Sequence, residues 1–575
     1  MPTPAAAPDR CLTALLVLAA TVSAHPAGAQ TWPTVGGSVG VPAATVPVTD
    51  PATGLVDQLL ALVPVPGGMV GQRPYSTREV VRVATAVRRE LARRDRVRRV
   101  ASASPTEGSG EARAATLAQA LLDAYAPSEP GTARAPALTL RPLDFAWAHA
   151  VGSGETPYAL ARDNGLGQFD ARTLPALDLR FGRPAERGVV ASVETAHALG
   201  VGGWLALVAQ PRASLIARYD GGFASGTRWN VEPQRLYARV VARNVALQAG
   251  LDEWAWGQSR EGGVFLAGNG RPLRALSLQS DTALTLPWRL RGLGRWRASF
   301  FVADLGRDQN FPHAKLAAYK LNLSPRPRLE LGAGIMSQFG GRGAPPMSTL
   351  DRAADLFPFI GWLSEGSDLV RSNKLANFEA RVRVPEWRGL SVAYELTIDD
   401  FDLRRPRSTL WEDSGNLLAL SVPRLARDGA LALDLRAQRT GLRQYRHYQF
   451  LSGVTYRGQL LGAPLGSNAG ALSAALTWRP APFDALTLAL TGETRDPSVY
   501  TNVNRDPNGT LIFERVEPRP VERRLRAAAG WERGLPGRGT SASARLGVER
   551  ATNRAFVAGI TLTRPFGEAG VRVRF

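Results

Sequence analysis

The chain has 575 residues, a single cysteine and a formal net charge of +20. One cysteine excludes a disulfide framework, and five histidines leave little for a Cys/His metal centre. The positive balance points to an acidic polymer, a lipopolysaccharide surface or nucleic acid as partner.

The N-terminus reads as an export signal over residues 1–29: Arg10, the apolar run LTALLVLAATVSA, then AGA before Gln30. That run is too short to span a bilayer as a helix. Cys11 precedes it, whereas a lipidated cysteine would follow, so no lipid anchor is expected. Export also sets nucleic acid aside as a partner. Residues 30–50 are rich in Pro, Gly and Val and read as a tether. Residues 51–130 read as a helical periplasmic or plug element. Ser76 and Glu79 have capping-box spacing, Val80, Val83, Ala84, Val87 and Leu91 form one stripe, and Leu117, Leu121 and Leu122 form a second. Arginines occupy the opposite face of the first helix.

Within 135–575 the period changes to two. In LALDLRAQR, Leu431, Leu433, Leu435 and Ala437 alternate with Asp434, Arg436 and Gln438. In FEARVRV, Phe378, Ala380, Val382 and Val384 alternate with Glu379, Arg381 and Arg383. LTLALTGET and LSVAYELTID repeat the pattern, with turns such as SPRP and LPGRGTS between segments. The alternation runs well past the length that a soluble all-β domain usually reaches. A closed all-β transmembrane barrel of about sixteen to eighteen antiparallel strands accounts for it, with lipid on the apolar face and a polar lumen. The last residues, VRVRF, place Val571, Val573 and Phe575 on one face and Arg572 and Arg574 on the other. An aromatic terminal strand of this kind resembles the assembly signal of outer-membrane barrels.

The chemistry-bearing inventory is thin. The sequence contains neither G-x-S-x-G nor a phosphate-binding G-x-x-x-x-G-K-[ST], and the mature histidines His149, His197, His313 and His447 lack ligand spacing. No metal and no cofactor are expected. Glu395, Asp399, Asp400 and Asp402 could be offered as a catalytic carboxylate cluster, but they read better as a wet loop end after a strand. Trp296 and Phe300 in RWRASFF read as interface anchors.

Two segments stand out. In LDEWAWGQSREGGVFLAGNGRPLRALSLQ, Trp254 and Trp256 share a face, followed by Gln258, Arg260 and an Asn269-Gly-Arg-Pro turn. Aromatic planes beside amides and guanidinium groups suit a sugar ring with hydroxyls and carboxylates; a membrane-interface tryptophan belt is the alternative. In YQFLSGVTYRGQLLGAPLG, Tyr456 and Arg457 precede glycines that allow a bend at Gly458 and Gly462. That bend would hold the two side chains at the pore mouth or lumen wall, gripping polysaccharide or locking the loop across the opening, or would serve assembly alone.

Together these segments resemble the Wzi-type capsule assembly proteins of the bacterial outer membrane. The family's W-G-x-x-x-x-G element is matched by Trp256, Gly257 and Gly262, followed by Asn269 and Pro272. Its G-x-T-[YH]-R-G-x-x-[IL]-G-x-x-[IL]-G signature is matched by Gly453, Thr455, Tyr456, Arg457, Gly458, Leu461, Gly462, Leu465 and Gly466. The chain departs from the family in its Arg-rich helix pair and in an aromatic content of 7%, which thins the usual girdle.

The resemblance implies a non-enzymatic, lectin-like outer-membrane barrel that binds and organises capsular or exopolysaccharide. Outer-membrane lipid, lipopolysaccharide and capsule export components would be its further partners. The expected glycan contacts are Trp254, Trp256, Gln258, Arg260, Asn269, Tyr456 and Arg457. An anion-preferring diffusion channel is the alternative from another class, because an Arg-rich lumen would favour anions.

Overall fold

The structure is a computed structural model that describes residues 40–100, 110–126, 138–160, 171–217, 226–260, 262–285, 288–357, 372–399, 406–504, 511–535 and 539–575. The export signal, Asp400 and Asp402 lie outside the described residues.

Two-residue alternation has one geometric consequence: successive side chains point to opposite faces of a sheet. Here the apolar set points outward. Leu472 and Leu488 are 68% and 63% exposed, while Gln210, Asn377 and Glu395 are fully buried. A soluble sheet would show the reverse. Closure completes the backbone hydrogen bonding that such a wall needs in hydrocarbon.

Among the described residues, eighteen antiparallel strands close the barrel. They are β1 (Leu138–Ser153), β2 (Gly188–Val201), β3 (Leu205–Ala217), β4 (Arg228–Ala242), β5 (Val245–Asp252) and β6 (Leu273–Ser280, resuming at Leu284–Thr285). Next come β7 (Arg295–Asp304), β8 (Lys315–Arg326), β9 (Leu329–Phe339), β10 (Ser372–Val384), β11 (Leu390–Asp399) and β12 (Ser414–Val422). The last six are β13 (Leu431–Thr440), β14 (Ala469–Trp478), β15 (Asp484–Arg495), β16 (Glu522–Leu535), β17 (Thr540–Thr552) and β18 (Thr561–Arg574). Strand β18 pairs with β1 from Phe566↔Ser153 to Arg574↔Phe145, which shuts the ring.

Turns at one end are short, as at 243–244 and 327–328; those at the other are long, as at 154–187, 253–272 and 441–468. Short turns mark the periplasmic end of outer-membrane barrels. Few aromatics still make a girdle: Trp204, Trp387 and Trp478 stand exposed at the short-turn end, Trp229 and Trp411 at the other.

The stripes read in the N-terminal region meet one another. Helices α1 (Pro51–Leu62), α2 (Thr77–Val100) and α3 (Gly110–Tyr125) share one core that includes Val56, Leu59, Val83, Val87, Leu117 and Leu121. The Ser76 hydroxyl caps α2 by accepting from the Glu79 N–H at 3.0 Å. The Glu79 carboxylate does not complete the box; it accepts from the Ala283 N–H instead, at 3.1 Å. The bundle lies across the short-turn end, where Arg78 donates to the Gly203 carbonyl and Arg113 to the Arg479 carbonyl.

Of the expected tether at 30–50, residues 30–39 lie outside the described residues. Residues 40–50 pack inside the barrel: Thr45–Val46 pairs with Tyr75–Ser76, and the Thr45 N–H donates to the Tyr237 hydroxyl at 3.0 Å. Val41, Ala43, Val46 and Val48 are buried apolar residues, so this segment loses too much by staying in water to act as a free linker.

The lumen is filled with paired charge. Arg183 lies 2.6 Å from Glu194 and 3.0 Å from Glu253, Arg235 2.6 Å from Asp252, and Lys320 2.8 Å from Glu379. Buried ions persist when paired. Much of the interior arginine content is therefore neutralised by wall and loop carboxylates.

Candidate functional site

The long turn 253–272 folds back into the barrel, and the wall provides its seat. Glu395, on the inner face of β11, accepts from the backbone N–H groups of Val264 at 2.7 Å, Phe265 at 3.1 Å and Gln258 at 3.3 Å. A Cβ on Gly263 would stand 1.8 Å from that carboxylate, so only glycine lets the loop reach it. Glu395 and Asp399 are therefore not a wet loop end; both are buried and bind backbone.

The two segments that stand out in the sequence are each other's partners. Asn269 donates to the Leu460 carbonyl at 2.9 Å, and the Ala267 N–H to the Leu461 carbonyl at 2.8 Å. The Tyr445 hydroxyl donates to the Val264 carbonyl and accepts from the Ala463 N–H at 3.0 Å. Gly462 serves close approach, not an unusual dihedral: a Cβ there would lie 2.3 Å from the Tyr445 ring. Gly458 does bend the chain, with φ of +72°, beside Arg457 at +50°. These two form the tip of a small hairpin in which Thr455–Tyr456 pairs with Gln459–Leu460.

Six of the seven expected glycan contacts are buried or half-buried. Trp254 and Trp256 meet edge to face at 6.0 Å and pack on Phe301 in the plug core. Gln258, Asn269 and Tyr456 are also buried. Gln258 accepts from Arg381 at 2.7 Å, and Tyr456 packs in the same core as the two indoles. Half-buried Arg260 turns toward the helical end, donating to the Asp50 carbonyl and resting on Gly54. Arg457 alone stands exposed, its guanidinium 5.5 Å from the Tyr456 ring.

Around Arg457 the long turns lock into one surface. The Arg172 N–H donates to the Gly458 carbonyl at 2.9 Å. Asn310 donates to the Gln449 carbonyl and, through its backbone, to the Ser452 hydroxyl, both at 2.7 Å. The Arg342 N–H donates to the Pro312 carbonyl at 2.8 Å. Exposed on this surface are Arg172, Arg307, Asn310, Arg342, Arg457 and Tyr448, the last 59% exposed and stacked on His447. Asp308 is exposed there as well. Cations, an amide and one aromatic plane can take carboxylates, hydroxyls and a sugar ring. Tyr448 sits in the singled-out stretch, but its partners Arg172, Arg307 and Arg342 come from turns distant in sequence and carry no motif.

At the opposite end, burial works against ionisation of Asp50, but Arg572, Arg574 and the Ala52 N–H outweigh it and hold the carboxyl below the usual carboxylate range. Arg572 approaches Asp50 to 2.7 Å.

A family model described as capsule assembly protein Wzi matches residues 168–562. An uncharacterized 55.8 kDa protein from the cps region of Klebsiella pneumoniae is 28% identical over 179 residues, 30% of this chain and 34% of that protein. The chain thus spans about a third of the length of that curated relative. A solved barrel from Escherichia coli, described as Wzi, a carbohydrate-binding outer-membrane protein involved in group 1 capsule assembly, aligns over 93% of this chain and 100% of its own. Its TM-score is 0.61 at 17% identity, a likeness of fold.

Proposed function

The chain belongs to the Wzi family of capsule assembly proteins, and we propose that it is an outer-membrane lectin-like barrel that holds surface polysaccharide on its long-turn face. The observation that carries this reading is the joined surface of Arg172, Arg307, Arg342, Arg457, Asn310 and Tyr448 above a lumen stoppered by its own turns. Nothing in this arrangement calls for bond making. Repeated weak contacts along a polymer sum to retention without one deep pocket. The helical bundle faces the periplasm in this reading, where capsule export components would meet it.

The test is binding of the organism's own capsular or exopolysaccharide to purified protein at two salt concentrations. An acidic polymer should bind more weakly at high salt. Arg457→Ala should lower retention while heat-modifiable migration stays that of a folded barrel. Undiminished retention in an Arg457→Ala, Tyr448→Ala double variant would refute the surface.

A second reading, an anion-preferring channel, is favoured by Arg436, which is exposed although it alternates with the outward Leu435. Water therefore reaches the inner face of β13. Stable anion-selective current in a planar bilayer would support this reading; silence would support the lectin.

A further inference from the structure

Irregularities cluster in one sector of the barrel wall. Pro142 in β1, Pro211 in β3 and Pro233 in β4 have no N–H to give to a ladder. The β1–β2 register slips between Arg141 and Phe145, and the β3–β4 register between Gln210 and Pro211, where Pro211 lies opposite Pro233. Between these slips the β2–β3 ladder skips Thr195 and Ala196. Irregularities of this kind bend strands and deepen local twist.

On the short-turn side of the slips the outer wall is hollowed into an open groove of about 530 Å³. Ala209, Ala238 and Ala249 line it between Leu140, Leu207 and Leu236. These leucines are exposed, on the face that alternation turns to hydrocarbon. His197 also lines the groove, its Nε2 2.9 Å from the Thr195 hydroxyl, so this polar pair satisfies itself.

We infer that this groove seats one acyl chain of a phospholipid from the periplasmic leaflet. An apolar hollow at that depth has no water to fill it, and its lining gains dispersion contacts only from hydrocarbon. Small residues on the floor let a chain lie close to the strands, and the flanking leucines hold it laterally. The leaflet follows from position. Leu207 of the groove lies three residues beyond Trp204, which is 49% exposed at the short turn 202–204, and such aromatics sit at headgroup level. The site lies on the opposite side of the wall from the lumen and is independent of glycan binding.

The test uses the full protein in nanodiscs of phosphatidylethanolamine and phosphatidylglycerol, doped with phosphatidylethanolamine carrying a diazirine on its acyl chain. After irradiation, labelled peptides are mapped by mass spectrometry. Labelling of residues 205–217 and 228–242 should exceed that of β14 and β15 on another sector of the wall several-fold. Ala238→Trp, which fills the floor from an exposed position, should remove the excess; Ala474→Trp on β14 should leave it. Ala249→Leu provides a second filling variant should Ala238→Trp lose heat-modifiable migration. Labelling spread evenly around the wall, or unchanged by both filling variants, would overturn the inference. Protein–protein cross-links at the groove would also overturn it, assigning the hollow to a second copy, as would labelling obtained only with a diazirine-bearing lipid A.

Discussion

Tyr445→Phe isolates one oxygen atom that ties the two plug turns together. The ring is fully buried and keeps its packing against Gly462 in the variant. What disappears is the hydroxyl that donates to the Val264 carbonyl and accepts from the Ala463 N–H. Both backbone groups would stay buried without a partner, at about 1–3 kcal/mol each, so docking of the turns should weaken by about 2–6 kcal/mol. Local opening should then rise by about thirtyfold to about twenty-thousandfold, since about 1.4 kcal/mol is a factor of ten. Hydrogen exchange of peptides covering 256–267 and 459–466 reads this directly, with peptides from β14 and β15 as the internal control. Exchange of the two plug peptides indistinguishable from wild type would refute the reasoning, because it would mean that the hydroxyl bridges nothing of consequence.

Further outcomes follow from the same geometry. Trp256→Ala should cost about 3–5 kcal/mol through the cavity it leaves, seen as protease access to 253–272. Any loss of polysaccharide should track that loosening and not occur while the turn remains docked. Asp50 has a depressed native pKa, so its contribution is present above the ordinary aspartate value of 3.8 and is lost as pH falls below it through the native value. Limited proteolysis should therefore find α1–α3 released on acidification below about pH 4, and Asp50→Asn should release them near neutral pH as well. Arg457→Ala and Tyr448→Ala should each lower polysaccharide binding, the arginine variant also flattening its salt dependence, as read by surface plasmon resonance on immobilised polymer.

The barrel was legible because its cause is local: lipid on one side and a polar interior on the other impose alternation on every strand, and VRVRF shows it at the terminus in five residues. The helices were legible for the same reason, through Val80, Val83 and Val87. The plug was not. Trp254 and Trp256 look alike in sequence whether they meet a sugar or Phe301, because what covers an aromatic is decided by a chain segment far away. Glu395 illustrates the limit from the other side. Its place in an alternating strand predicts an inward carboxylate, but nothing near it in sequence announces three N–H groups from residues 258–265. The outer surface is harder still, since Arg172, Arg307 and Arg342 become neighbours of Arg457 only after four separate turns have folded together.

The contact between Asp50 and Arg572 joins the start of α1 to the strand that closes the barrel, and Arg574 reaches the Tyr125 hydroxyl at 3.0 Å in the same way. The bundle consequently has no complete berth until the final strand is in place beside β1. Seating of α1–α3 becomes a late event that certifies a finished ring, and a chain stalled or cut before Arg572 would leave its own stopper adrift.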